Sequence, residues 1–204
     1  MTDSTAHEAL ALLEIEGLPR ALAAHDAALK RAPTTVLGTT PVSPGKAVLL
    51  LAGDVASVEE SLAAAEAVAG NRKLDRLFLP GVHPDLLVAL KGGRTSRRGE
   101  ALAIFELKTL AATLEAADQA LKAAKVKLGR LHLATGFGGK GFFTLWGELS
   151  DVEAAVLVAV SVAGDRLLDH ELIPAPHDEL DEAAFVRMWP LDPADVATPP
   201  KSTI

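Results

Sequence analysis

Cysteine and tyrosine are both absent from the 204 residues, and aromatic side chains of all kinds make up only 4%. Without cysteine there is no disulfide framework, no thiolate zinc site, no Cys-ligated iron–sulfur cluster and no Cys nucleophile. With so few rings, cores have to be built from Ala, Val, Leu and Ile, which a hydrophobic content of 49% supplies. Long apolar runs are lacking too, and each is interrupted well before the ~20 residues of a membrane-spanning helix. The opening MTDSTAHEAL has no basic segment leading into an apolar one, so no secretory leader is expected. Basic charge is scarce: the net charge is −7, and no basic stripe is interleaved with aromatics. Nucleic-acid binding is therefore not expected. The one basic cluster, Arg94, Arg97 and Arg98, sits among Gly92, Gly93 and Gly99 and reads as a solvated linker. The expectation is a cytosolic protein that engages neither nucleic acid nor membrane.

What the chain does have is a repeat. EALALLEIEGLPRALAAHDAALKRA from Glu8 returns as EALAIFELKTLAATLEAADQALKAA from Glu100, 92 residues later. Further on the offset is 94: Gly45-Lys46 returns at Gly139-Lys140, Asp75 at Asp169 and His83 at His177. A period of this length is too long for a solenoid unit and long enough for a small domain. The expected organisation is a disordered N-terminus over 1–7, a first domain over 8–91, a linker over 92–99 and a second domain over 100–189. A disordered Pro-rich tail over 190–204 follows.

Each half reads strand, helix, strand, strand, helix, strand, short helix. Leu18, Leu22 and Leu29 share a helical face with Ala21, Ala28 and Ala32, predicting a helix over Leu18–Ala32. Pro19 suits its first turn and Pro33 ends it. Strands over Thr34–Val42 and Lys46–Leu51 are joined by the turn Ser43-Pro44-Gly45. Asp54 caps a second helix that buries Val55, Val58, Leu62, Ala65 and Ala69 and closes at Gly70. Leu74–Leu79 is a strand, and Pro84 opens a short helix to Leu90. In the second half the corresponding long helix buries Leu149, Val152, Val156, Ala159 and Ala163. A strand over about Leu167–Ile173 and a helix over about Asp178–Trp189 follow. This order implies an α+β fold for each half, a mostly antiparallel four-stranded sheet with helices packed on it.

Several short motifs recur in both halves: HDAALKRA and ADQALKAA, GKAVLLLAGDVASVEESLAAAEAVAG and GKGFFTLWGELSDVEAAVLVAVSVAG, FLPGVHPDL and LIPAPHDEL. In this order they resemble the tandem-domain shell proteins of bacterial microcompartments (BMC-T) in their unpermuted form, over roughly residues 8–187. The resemblance implies two BMC domains of ferredoxin-like variant build and a homotrimer shaped as a pseudohexamer. It further implies tiles in the shell facets and a central pore for metabolites. The partners it implies are other shell proteins (single-domain hexamers and pentameric vertex proteins) and encapsulated enzymes or small metabolites. No active site, cofactor or metal is implied, and the location is the shell of a cytoplasmic microcompartment.

By that resemblance the pore is lined by Val42, Ser43, Pro44 and Gly45 from one half and by Gly136, Phe137, Gly138 and Gly139 from the other. Phe137 is expected to narrow the opening. Lys46 and Lys140 follow these turns, and two readings stand: positive charge at the pore, or pairing with acidic neighbours. The tile edge is assigned to Asp26, Lys30, Asp118 and Lys122, with His83 and His177. The plain alternative for the first four is a pair of surface i,i+4 ion pairs. For the histidines it is a helix-start or packing role, since no third ligand is spaced for a metal site. Family members carry Arg after the strand-ending proline, whereas this chain has Gly81 and Ala175, which weakens part of the expected edge contact. His25, His132 and His170 have no histidine counterparts in the other half. The glycines of Gly136–Gly139 lead into a strand and not a helix, so they do not form a dinucleotide loop. A trimeric ferredoxin-like regulator that senses a small molecule is the alternative function. Enzymatic work lacks a visible base, orienting group and nucleophile.

Overall fold

Apolar residues at every position of ALALLEI give a strand buried on both faces. This is β1 (Ala9–Glu16), in which only Glu16 is exposed. The computed structural model of the chain describes residues 8–91, 99–133, 136–177 and 180. The expected N-terminal segment over 1–7, nearly all of the linker, the helix over Asp178–Trp189 and the tail lie outside the described residues.

After β1 come α1 (Leu18–Arg31), β2 (Thr35–Val42), β3 (Lys46–Gly53), α2 (Val55–Ala69), β4 (Lys73–Pro80) and α3 (Pro84–Leu90). The second half follows with β5 (Ala101–Leu107), α4 (Leu110–Ala123), β6 (Lys127–Leu133), β7 (Gly141–Gly147), α5 (Leu149–Ala163) and β8 (Leu167–Pro174). Two four-stranded sheets result, ordered β2-β3-β1-β4 and β6-β7-β5-β8. Every ladder is antiparallel, as the α+β reading requires. The repeat extends to irregularities. The register slips after Glu14 in the β1–β4 ladder and after Glu106 in the β5–β8 ladder.

Helix ends follow local chemistry. The Asp54 carboxylate accepts the Ser57 N–H at 2.9 Å, which caps α2 and holds the carboxyl below its ordinary value. Gly70 and Gly164 close α2 and α5 with positive φ. Thr109 caps α4 by accepting the Ala112 N–H at 3.2 Å.

Alternation along β1 assigns the two sheet faces. Ala9, Ala11, Leu13 and Ile15 point to α1 and α2 and form a core with Ala21, Ala24, Ala28, Val58 and Leu62. Leu10 and Leu12 point the other way, into a larger core that also holds Leu77 and Leu79. That core takes in Leu110, Leu114 and Leu121 of α4, so the halves share one interior.

Here α1 departs from the sequence expectation. Its alanines face its own sheet, while Leu18, Leu22 and Leu29 are 39%, 51% and 50% exposed. Small side chains let the helix approach the sheet closely, so the leucine stripe has to face outward. Val55 is likewise 37% exposed and not part of the α2 core. In α5 the fully buried set is Val152, Ala155, Ala159 and Ala163, with Leu149 and Val156 only packed against it.

Candidate functional site: the paired turns and the junction between halves

The β2–β3 and β6–β7 hairpins bring their turns together. Lys46 donates to the Gly139 carbonyl at 2.6 Å and to the Glu14 carboxylate. A Cβ on Gly139 would sit 2.7 Å from the Ser43 carbonyl oxygen and 3.3 Å from Pro44 Cδ. At φ 75° this position takes glycine for two reasons, backbone hand and contact with the other turn. The Ser43–Pro44 peptide is cis.

Both lysines that follow the turns are paired. Lys140 is bonded to the Glu106 carboxylate, and its Nζ lies 4.7 Å from the Phe137 ring centroid. Pairing with acidic neighbours is thus the geometry adopted. The Phe137 ring is folded back onto its own sheet, edge-on to His132 at 5.9 Å and to Phe142 at 5.5 Å. Gly136 and Gly138 are the exposed residues of this turn.

Glu14 is the polar centre of the junction. It is fully buried, and its carboxylate accepts the N–H groups of Leu110 and Ala111 (2.9 Å for the second) as well as the Lys46 ammonium. Those N–H groups are unpaired within α4, and the positive end of the helix dipole favours an anion there. One buried carboxylate therefore ties together β1, β3 and the start of α4. Asp75 repeats the device at the sheet edge, accepting from the Thr109 hydroxyl and lying 3.6 Å from Arg166. Arg166 also donates to Glu115 at 2.7 Å. Partial burial works against its charge, but Glu115 and Asp75 win, and its pKa rises above the ordinary guanidinium value.

The residues assigned to the tile edge divide into two kinds. Asp26 and Lys30 form a 2.6 Å pair that is 60% and 72% exposed, on the outer surface of α1. Asp118 is fully buried, accepts the His83 backbone N–H at 2.8 Å and pairs with Lys122, which is 35% exposed. Its carboxylate is committed to the junction. The His83 ring caps α3, accepting the Asp85 N–H at 3.2 Å. His177, its counterpart, is exposed. Among the described residues no group of three His, Cys, Asp or Glu could hold a metal ion, and no helix is long and apolar enough to cross a membrane.

Sequence reasoning missed Glu14, Asp75, Thr109, Glu115 and Arg166. The signal for Glu14 was present: an acidic residue in the inward phase of a fully apolar strand, repeated at Glu106.

The family model "BMC domain" matches residues 9–82 and again 101–176, the two halves just described. The chain belongs to the BMC-domain family. It is similar to the bacterial microcompartment shell protein PduT of Citrobacter freundii, 37% identical over 175 residues, covering 85% of this chain and 95% of that one. A solved microcompartment protein from Desulfitobacterium hafniense DCB superposes with TM-score 0.75 at 39% identity, covering 86% of this chain and 98% of that one. The major carboxysome shell protein CsoS1 of Prochlorococcus marinus is 35% identical over 94 residues, 44% of this chain and 87% of its own length. That protein thus matches a single half, whereas the tandem BMC chain spans PduT nearly end to end. Two BMC domains in tandem, with strand order and the glycine closures of α2 and α5 repeated, are the tandem-domain type that the motifs resembled.

Proposed function

We propose that this tandem BMC chain is a structural shell protein of a bacterial microcompartment, and that three copies close into a pseudohexameric ring. The paired turns would then border a central opening. The observation that carries the ring is the unequal burial of matched leucines. Leu110, Leu114 and Leu121 on α4 are 3%, 0% and 4% exposed, packed on the sheet of the first half. Their counterparts Leu18, Leu22 and Leu29 sit at the same helical positions with no such cover among the described residues. The intrachain junction is a template. Joining α1 of one chain to the second sheet of the next reproduces it, and three such steps close a ring with no free face.

The template also assigns polar contacts. Asp26 takes the role of Asp118 and accepts the N–H of His177 in the neighbouring chain. Glu106 takes the role of Glu14 at the start of α1, where Pro19 removes one of the two N–H groups. Around the opening stand Val42–Gly45 and Gly136–Gly139 from each chain, with hydroxyl and backbone groups and paired lysines that add little net charge. Such an opening suits small metabolites.

The named shell-protein relatives support the shell reading and not the sensing regulator. The protein is read as a wall and not an enzyme, a partner of other shell proteins around cytoplasmic cargo. Sedimentation equilibrium with electron microscopy of the purified protein tests this. Expected are particles near three times the 21.2 kDa chain mass and flat sheets of discs. A strictly monomeric species at high concentration overturns it.

A further inference from the structure

The two halves differ at one matched place on their open sheet faces. In the first half, a hollow of about 380 Å³ lies between the β2–β3 hairpin and the second half. Leu12 and Leu50 form its floor, and Leu110 and Leu133 close it from the other half. Among the described residues its polar side chains are the hydroxyls of Thr40 and Ser43, and no charged one lines it. Its volume is within the ~300–1,000 Å³ typical of small-molecule sites. Lys46, just beyond, is held by Glu14 and the Gly139 carbonyl.

In the second half the same place carries larger side chains. Gly38, Thr40 and Val48 correspond to Arg130, His132 and Phe142, and Ser43 corresponds to Phe137. The His132 ring stacks on Phe142 with centroids 4.9 Å apart and planes 14° apart, and Phe137 meets both edge-on. One half therefore fills with its own rings what the other leaves open.

We propose that the hollow of the first half is a binding site for a small neutral aromatic molecule, one per chain. Its ring takes the place that the His132–Phe142 stack occupies in the second half. A hydroxyl or carbonyl substituent meets Thr40 or Ser43. The apolar floor and the lack of charge in the lining disfavour ions, because an ion would be desolvated without a partner. The site rests on the fold of one chain and stands whether or not the ring closes. The occupant lies against Pro41–Ser43, so it contacts the hairpin whose turn meets Gly139.

Fluorine NMR titration of the full chain with 4-fluorobenzyl alcohol tests the site. Saturable binding at one probe per chain is expected, at least tenfold weaker in Val48→Phe, which writes the second half's residue into the first. Thr40→His, at an exposed position, is the second variant and should weaken binding in the same direction. Non-saturable binding, binding untouched by both first-half variants, or equal affinity for the saturated cyclohexyl analogue would overturn the proposal.

Discussion

Asp118 accepts the backbone N–H of His83 at 2.8 Å, across the junction between the two halves. The same two residue types recur as Asp26 and His177, which cannot meet within one chain if the halves are related as the template requires. In the proposed ring the same contact would form between chains for the first aspartate, as it forms within the chain for the second.

The two aspartates should behave differently. Asp118→Ala leaves a half-buried N–H and the Lys122 ammonium without their acceptor. Hydrogen bonds to charged groups contribute ~1.5–3 kcal/mol, so stability should fall by about that amount in urea denaturation. Asp26→Ala removes a surface carboxylate and should leave chain stability unchanged while weakening trimers in sedimentation. Equal stability losses from both would show that the template is wrong.

Leu22→Glu and its counterpart Leu114→Glu make the sharpest pair. Leu114 is fully buried in the shared core, and a charge there should abolish folding. Leu22 is 51% exposed in one chain, so Leu22→Glu should give a folded monomer with native circular dichroism. Light scattering should place it near 21.2 kDa. A trimeric Leu22→Glu protein would remove α1 from the interface.

Much of the architecture was legible because it is local. Asp54, Gly70, Pro84 and the Ser43-Pro44-Gly45 turn act on their neighbours within a few residues, and each does what its chemistry dictates. The repeat exposed the domain count, whereas the meeting of the turns was implied only by the family resemblance. What stayed hidden was long-range. The α1 stripe of leucines looks like a core face, and nothing in its spacing says that the flatter alanine stripe serves the chain's own sheet. Asp118 and Asp26 have similar sequence surroundings, yet one is buried and the other is not, because only Asp118 packs against the other half within the chain. The ring stack of His132 and Phe142, against which Phe137 packs, joins residues of two strands and was not legible either.

Glu14 joins the α4 N-terminus to Lys46 with both side chains nearly or fully buried, 0% and 10% exposed. Breaking such a pair from one side leaves an uncompensated charge and costs on the order of 3 kcal/mol. Glu14→Gln should therefore lower the denaturation midpoint sharply, and adding Lys46→Met should recover part of the loss. An additive double variant would mean the two side chains act independently.

Ala175 stands at φ 47°, where its counterpart Gly81 has φ 73°. A left-handed conformation costs a residue with a Cβ ~1–2 kcal/mol. Glycine's greater freedom in the unfolded chain gives back ~0.4–1 kcal/mol of that. The first effect is larger, so Ala175→Gly should raise stability by about 0.5 kcal/mol or slightly more. Thermal melts at matched protein concentration would detect the gain, and a lowered midpoint would mean that the Ala175 methyl group has a packing role.

Lys30 and Lys122 occupy matched positions but have different freedom. Lys122 is 35% exposed and held by a buried carboxylate, whereas Lys30 is 72% exposed and paired with the exposed Asp26 on the same helix. An exposed i,i+4 pair contributes only ~0.3–0.5 kcal/mol, so Lys30→Ala should fold normally. If Lys30 works at the tile edge, Lys30→Ala should keep trimers in sedimentation while suppressing the ordered sheets that the unaltered protein forms under the electron microscope. Lys122→Ala should suppress sheets as well but also lower chain stability, because Asp118 loses its cation. Normal sheets from Lys30→Ala together with Lys122→Ala would assign both lysines to their own helices and leave the edge to other residues.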